Sequence, residues 1–239
     1  MTKYLERTFD WKPHFDERSR EYPIRTMLPR VQHKTFTLWQ NGEILDQGSE
    51  GACVGFGWTA EALAGPVQVD LKKVKSPGPK EPNRFAYYVY REAQKIDQWP
   101  GEDYEGTSVL AGAKIMTRYG IIHQYRWAFN TSDIIGALMS QGPVVLGMNW
   151  YSGMYNAPEG RLTVSGHKVG GHAILAIGYN PSSERFEGEE TIILQNSWGH
   201  SWGISGIAEL RVSDLERLMR EGGEACVPLV RGFQADIKK

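Results

Sequence analysis

Apolar residues are distributed differently in the two halves of the chain. Helix-favouring stretches fill the first half. An Ala-rich run from Cys53 to about Ala64, with Trp58 and Leu63, reads as a helix. VKSPGPKEP, residues 74–82, is a Pro/Gly loop, after which Asn83 is placed to cap a helix from Arg84 to about Lys95. Trp99 to Thr107 reads as a polar loop. Ser108 then opens a helix to about Tyr119, stopped by Gly120, and Ser132 starts a short one to about Ser140, ended by Gly142-Pro143. Beyond Pro143 the pattern changes. PVVLGMNW, AILAIGYN, TIILQNSW and GIAELRV are short β-branched or aromatic runs separated by Gly, Pro and Asn, which predicts a mainly antiparallel sheet. Residues 180–190 read as an exposed hairpin loop. Ser213 and Glu216 form a capping-box pattern for a last helix ended by Gly222. Segregated helices and strands predict an α+β fold, with a helical lobe at about 29–141 beside a β lobe at about 142–239. A site between the lobes follows as a prior.

Composition narrows the function classes. The 239 residues carry 27 Lys+Arg against 28 Asp+Glu, a formal net charge of -1. That balance lacks the cationic excess of a dedicated nucleic-acid or polybasic membrane binder. Hydrophobic residues at 41% and charged residues at 23% are near globular norms, so the chain is expected to fold, with length for one large domain or two small ones; the resemblance described below implies one domain over 1–239. No apolar run approaches the roughly 20 residues of a membrane helix. The charged, aromatic N-terminus does not read as a signal peptide. Only two cysteines, Cys53 and Cys226, are present, which points to a reducing compartment, a cytoplasmic one by expectation.

Three segments carry candidate chemistry. In QGSEGACVGFG, residues 47–57, a cysteine sits where a glycine-rich loop meets a helix N-terminus. Unpaired backbone N–H groups and the helix dipole favour a thiolate there, although the position equally suits a buried cysteine packing as a small hydrophobe. In GGHAILAIGYN, residues 170–180, His172 opens an apolar strand; alone, it reads as a structural histidine. In LQNSWGHSWGISG, residues 194–206, Asn196 precedes Trp198, and an isolated NSWG reads as a turn with a packing aromatic. Together they supply Gln47, Cys53, His172 and Asn196 in order, separated by 6, 119 and 24 residues.

At this point the sequence resembles the papain-like cysteine peptidases. Their nucleophile segment, histidine strand and NSWGxxWGxxG segment match these three stretches from about Leu45 to Gly206. GPVVLGMNW is similar to the family's GPV strand. RFAYYVY and GTSVLAGAKIMTRYGI are similar to family helices. The resemblance implies a two-lobed fold with Cys53 and His172 on opposite sides of a cleft. It implies peptide-bond hydrolysis through a thioester at Cys53, with a thiolate–imidazolium pair, Asn196 orienting the ring, and Gln47 with the Cys53 N–H stabilising the oxyanion. Trp198 would shield the His172–Asn196 bond. Gly106, Gly171 and Trp198 would contact substrate, and a small, apolar pocket for the second residue before the cleaved bond would lie near Val109, Gly147 and Ala173. Glu50 and Val54 replace a disulfide cysteine and a tryptophan of typical members, and Gly106-Thr107 stands for their paired glycines.

The resemblance implies a peptide or protein substrate and no cofactor. His167 and His172 lack the companions of a metal site, so no metal is expected. Gly55-Phe56-Gly57 and Ala60 match G-x-G-x-x-A inside a helix, without the βαβ unit that a dinucleotide site needs. Residues 1–28 read as a short arm docked on the surface, in preference to a removable plug. Two other readings keep the fold: an acyl-transfer enzyme with the same site, such as a transpeptidase or amidase, and a structural, particle-associated protein. A virion-associated setting is the alternative location for a viral chain. Oligomeric state and target are not legible.

Overall fold

The computed structural model describes residues 7–14, 16–29, 35–99 and 105–231. Its elements follow the expected change of pattern. Short 3-10 turns at Glu17–Glu21 and Ile24–Met27 lead to β1 (Thr37–Leu38), α1 (Cys53–Leu63), α2 (Pro82–Gln94) and α3 (Val109–Arg118). Then come β2 (Ile122–Trp127), α4 (Thr131–Ser140), β3 (Val144–Tyr151), β4 (Arg161–Leu162) and β5 (Lys168–Ser183). β6 (Glu189–Gln195), β7 (Ile207–Arg211), α5 (Val212–Arg220) and β8 (Glu224–Arg231) complete the order.

Ser108 caps α3 as expected, its hydroxyl accepting from the Ala111 N–H at 3.1 Å. Three other starts differ. Asn83 does not cap α2, which begins at Pro82, where the missing N–H is no loss. The Asn83 Oδ1 instead accepts from the Asp46 N–H at 2.9 Å, tying α2 to the loop before Cys53. Asn130, rather than Ser132, caps α4 by accepting from the Asp133 N–H at 2.8 Å. The capping box at Ser213 and Glu216 is absent, because α5 runs straight off β7 with Arg211 at its N-cap. The expected loop at 180–190 is also shorter: β5 continues to Ser183 and β6 starts at Glu189.

Eight strands form one sheet in the order β2-β8-β3-β5-β6-β7-β4, with β1 on β5. Every pairing is antiparallel except β4 with β7. β1 and β2 thus join the sheet from the mainly helical half. Strand alternation sends successive side chains to opposite faces. Val145, Ala173, Leu175 and Ile177 face one core with α1, α2 and α3. Val144, Leu146, Met148, Trp150, Ile174 and Ala176 face a second core with α4 and α5. This separation makes the two lobes, and β5 runs between them. Among the described residues no helix is long and apolar enough to cross a membrane.

Candidate active site

The loop before α1 is held from two sides. The Gln47 N–H donates to the Ser197 carbonyl at 2.9 Å, and the Tyr87 hydroxyl donates to the Gln47 carbonyl at 2.6 Å. These bonds set Cys53 as the first residue of α1, at the positive end of the helix dipole. Its thiol is fully buried, and the backbone N–H groups of Ala173, Asp10 and Val54 face the sulfur.

His172 precedes Ala173 on β5, so its ring points to the other face of the strand. Its Nε2 lies 2.8 Å from Asn196 Oδ1. The Ser197 N–H donates to that same oxygen at 2.8 Å, which identifies the oxygen as the acceptor and Nε2 as the donor. Nδ1 of the neutral ring is then a lone pair, buried and without a hydrogen bond. Trp150 and Trp198 wall the ring at centroid distances of 4.6 and 5.1 Å. Gln47 is buried beside this pair. Its Oε1 accepts from the Ser197 hydroxyl at 2.7 Å, and one Nε2 hydrogen goes to the Glu50 carbonyl at 2.8 Å.

The cleft over these groups is filled by the chain's own N-terminal segment. Arg7 pairs with Asp46 at 2.6 Å and also donates to the Gly48 carbonyl, and the Thr8 hydroxyl donates to the Ser49 carbonyl. Phe9 stacks its edge on His172 and Trp198 at 6.1 and 5.6 Å. The Asp10 N–H reaches the Cys53 sulfur, and the Asp10 carbonyl accepts from the Thr107 N–H at 3.2 Å. The Trp11 N–H donates to the Gly171 carbonyl at 2.9 Å, and the Lys12 N–H donates to the Thr107 carbonyl at 3.0 Å. Trp11 is only 5% exposed and packs into the first core. Its ring fits because position 147 is glycine: a Cβ there would sit 2.2 Å from the indole nitrogen. Gly106 holds φ at +90°, and a Cβ on it would strike the Asp10 carbonyl at 1.9 Å. The expectation of an arm docked on the surface is therefore corrected: residues 7–12 lie in the cleft. Residues 1–6 and Phe15 of that arm fall outside the described residues.

Burial sets the charge state of the covered site. It pushes the Cys53 thiol up to about 11 and the His172 ring down to about 4, the latter partly offset by the Asn196 hydrogen bond. Thiol and imidazole are thus both neutral at pH 7, and the implied thiolate–imidazolium pair is not the state with the segment in place. Burial, with Glu105 nearby, also pushes the Asp10 carboxyl up to about 6. A pH dependence follows. In the intact chain, the thiolate absorbance that Cys53→Ala removes should be absent at neutral pH and grow only as the pH rises toward about 11. A pH titration of the difference spectrum between the two chains checks it; thiolate absorbance already present near neutrality would show the ion formed beneath the segment.

The residues expected from the sequence are placed as follows. Gln47, Ser197, Asn196 and His172 are joined by hydrogen bonds, Cys53 meets Asp10 of the segment next to Phe9 on His172, and Gly106, Gly147, Gly171 and Trp198 touch residues 9–11 of the segment, while the Ala173 N–H faces the sulfur. Val109 is buried in the same core as Trp11, and its carbonyl accepts from the Trp58 indole at 3.0 Å. Three participants were not expected. Thr107, beside the expected Gly106, supplies the backbone pairing. Trp150 flanks the ring from the GPV strand. Glu224 on β8 reaches Trp11 from a part of the chain where the resemblance fades.

Comparison with known proteins agrees with the fold. The model of the papain family cysteine proteases matches residues 82–219, more than half of the chain, and this span includes His172 and Asn196. The chain belongs to the papain family of cysteine proteases. An uncharacterized peptidase C1-like protein of Acanthamoeba polyphaga mimivirus is 24% identical over 221 residues, covering 72% of this chain and 65% of that protein. A cathepsin B-like protease of Arabidopsis thaliana is 32% identical over 94 residues, 39% of this chain and 24% of that one. The chain thus spans less than two thirds of the curated relatives it matches. Among solved structures, xylellain, a cysteine protease from Xylella fastidiosa, superposes with a TM-score of 0.59 at 16% identity, covering 97% of this chain and 99% of that one. Digestive procathepsin L 3 of Tenebrio molitor gives a TM-score of 0.57 at 15% identity over 95% and 77%. At such identities the superpositions speak for the fold alone.

Proposed function

We propose that this chain is a cysteine peptidase that hydrolyses peptide bonds with Cys53 as nucleophile and His172 as proton carrier, and that residues 7–12 keep it latent until they leave the cleft. The observation that carries this reading is the fixed tautomer of His172. Asn196 and the Ser197 N–H hold Nε2 as the donor, leaving a buried, basic Nδ1 with no hydrogen bond, in a cleft that already holds a peptide.

Departure of the segment admits water. The burial that keeps both groups neutral is then relieved, the thiol pKa falls, the ring pKa rises, and the Cys53 proton passes to Nδ1. The thiolate attacks the substrate carbonyl carbon. The second Nε2 hydrogen of Gln47 and the Cys53 N–H receive the oxyanion. The imidazolium gives its proton to the leaving amine, and a thioester remains on Cys53. A water, losing its proton to His172, attacks the thioester and returns the acid and the free thiol. Asn196 serves as an uncharged orienting partner because the ring itself becomes positive.

The order of the segment explains why it survives. Phe9 lies on the Trp198 side, Asp10 over Cys53, and Trp11 in the pocket at Gly147. A substrate that puts its second residue before the scissile bond in that pocket runs the other way. The segment therefore offers no peptide bond in the attacking geometry. The two free cysteines, Cys53 and Cys226, fit work in a reducing compartment, with the cytoplasm the simplest setting.

The thioester is the test. Mixing the Phe9→Ala/Trp11→Ala chain with a peptide ester and quenching in acid should give an acyl adduct on Cys53 by mass spectrometry. Adding an amine nucleophile should leave the hydrolysed acid as the main product; an amide product instead would favour the acyl-transfer reading. No adduct on Cys53 would reject covalent catalysis altogether.

A further inference from the structure

The outer edge of β2 is open beside a cavity. The Trp127 N–H leaves this strand on the side away from β8 and donates to the Tyr22 carbonyl at 3.2 Å. Residues two apart in a strand turn their backbone groups the same way, so the N–H and C=O of Tyr125 also point outward. Its partner on β8 fits this, because Pro228 has no N–H to give. Next to Tyr125 the N-terminal arm stands off from the strand. A cavity of about 570 Å³ separates Asp16, Ser19 and Tyr22 of the arm from Lys114 of α3 and from β2. That volume is within the roughly 300–1,000 Å³ of ligand clefts.

Two cations line this cavity from different sides. Tyr125 and Trp127 face the first core, where α3 packs, and Lys114 belongs to α3. Arg126 lies between those two aromatics, so its side chain leaves the opposite face of β2, and its guanidinium sits over the Tyr22 ring at 5.0 Å. Among the described residues neither Lys114 nor Arg126 forms an ion pair. The Arg126 Nε is buried without an acceptor. Asp16 is occupied by Arg18, whose Nε donates to its two carboxylate oxygens at 2.9 and 3.1 Å, and Glu21 is exposed at the rim. Two half-buried cations without carboxylates, beside unpaired strand backbone, favour an acidic and extended ligand.

We propose that this cavity is a second peptide site, outside the cleft, which takes an extended segment with two adjacent acidic residues as an added strand on β2. The backbone of the segment pairs with the N–H and C=O of Tyr125. Neighbouring side chains of a strand point to opposite faces, so one carboxylate reaches Lys114 and the next reaches Arg126. These charge-assisted bonds select the acidic pair, and the pairing with β2 selects the extended backbone. The site is formed with residues 7–12 in the cleft, and binding there needs no catalysis.

The probe is a fluorescein-labelled peptide, Thr-Val-Glu-Glu-Val-Thr, titrated with the intact chain at low salt and followed by anisotropy. Saturable binding is expected, weakened by at least about tenfold in Lys114→Gln and in Arg126→Gln, as the loss of one charge-assisted bond implies. Two changes on the peptide side test the geometry with the protein untouched. Thr-Glu-Val-Glu-Val-Thr has the same charge but turns both carboxylates to one face, so it should bind about tenfold more weakly. Methylating both glutamate amide nitrogens removes the pairing with β2 and should weaken binding at least as much. The Phe9→Ala/Trp11→Ala chain carrying Cys53→Ala, with its cleft open, should bind the first peptide within about twofold of the intact chain. No saturable binding, equal affinity for the adjacent and spaced acidic peptides, or equal affinity for the methylated one overturns the proposal. Binding that strengthens tenfold in the opened chain and ignores Lys114→Gln also overturns it, by placing the peptide in the cleft.

Discussion

Replacing Phe9 and Trp11 together by alanine should raise the rate of Cys53 labelling at pH 7 by on the order of 100-fold, and peptidase activity with it. Each ring is an anchor of the segment in the cleft. Phe9 packs on His172, Trp150, Tyr155 and Trp198, and Trp11 fills the pocket over Gly147. Burying one such side chain stabilises by about 1.5–3 kcal/mol, so even the lower figure twice gives about 3 kcal/mol. At 1.4 kcal/mol per factor of ten, the open fraction rises about two orders of magnitude. Opening also relieves the burial that holds the thiol at about 11 and the ring at about 4, so the gain exceeds that of access alone. Hydrogen exchange of the Trp11 amide, now bonded to Gly171, should accelerate in parallel with labelling. Unchanged labelling in the double variant would mean that the segment does not control access.

The proposed reacting residues were legible in the sequence because such chemistry fixes both residue type and neighbourhood. A cysteine at a helix start, a histidine in an apolar strand and an asparagine before a buried tryptophan are local patterns, and in the structure Cys53 starts α1, His172 lies on β5 and Asn196 accepts from its ring. The helices legible from capping and stop signals, such as α3 behind Ser108, were similarly local. What was not legible depends on pairing between distant segments. β2 buries only Ile122 and Trp127 at its ends, so IHQYRW carries little periodic signal, and its partner β8 lies about a hundred residues away. Glu224 enters the cleft only through the β3–β8 register. The segment at 7–12 is charged and aromatic with no element of its own. Its place is decided by Gly106, Gly147 and the Thr107 backbone, which receive it, and nothing in its own sequence announces that. Capping was misplaced at Asn83 and Ser132 for a related reason: several candidate polar residues stood side by side, and tertiary partners, such as the Asp46 N–H for Asn83, chose between them.

In the opened chain, Cys53→Ala should remove peptide hydrolysis by on the order of 10^5-fold, and His172→Ala should do nearly the same. Groups that act as one unit are not additive, so the double variant should fall little further than either. The comparison belongs in the Phe9→Ala/Trp11→Ala background, where access does not limit the rate. Cys226→Ala should leave hydrolysis within about twofold there, since Cys226 is a buried core thiol facing α1, α2 and α3. A Cys53→Ala chain that still cleaved peptides at a comparable rate would move the chemistry elsewhere.

The most direct test is an epoxide peptidase inhibitor incubated with the purified chain under reducing conditions, with the adduct located by mass spectrometry. The intact chain, the Phe9→Ala/Trp11→Ala chain, and the latter carrying Cys53→Ala or His172→Ala are run together. The predicted result is slow labelling of the intact chain and fast labelling of the opened one, at Cys53 alone, lost in Cys53→Ala and sharply slowed in His172→Ala. Labelling that is equal at Cys53 and Cys226, or indifferent to His172, would contradict an activated thiol beneath the N-terminal segment.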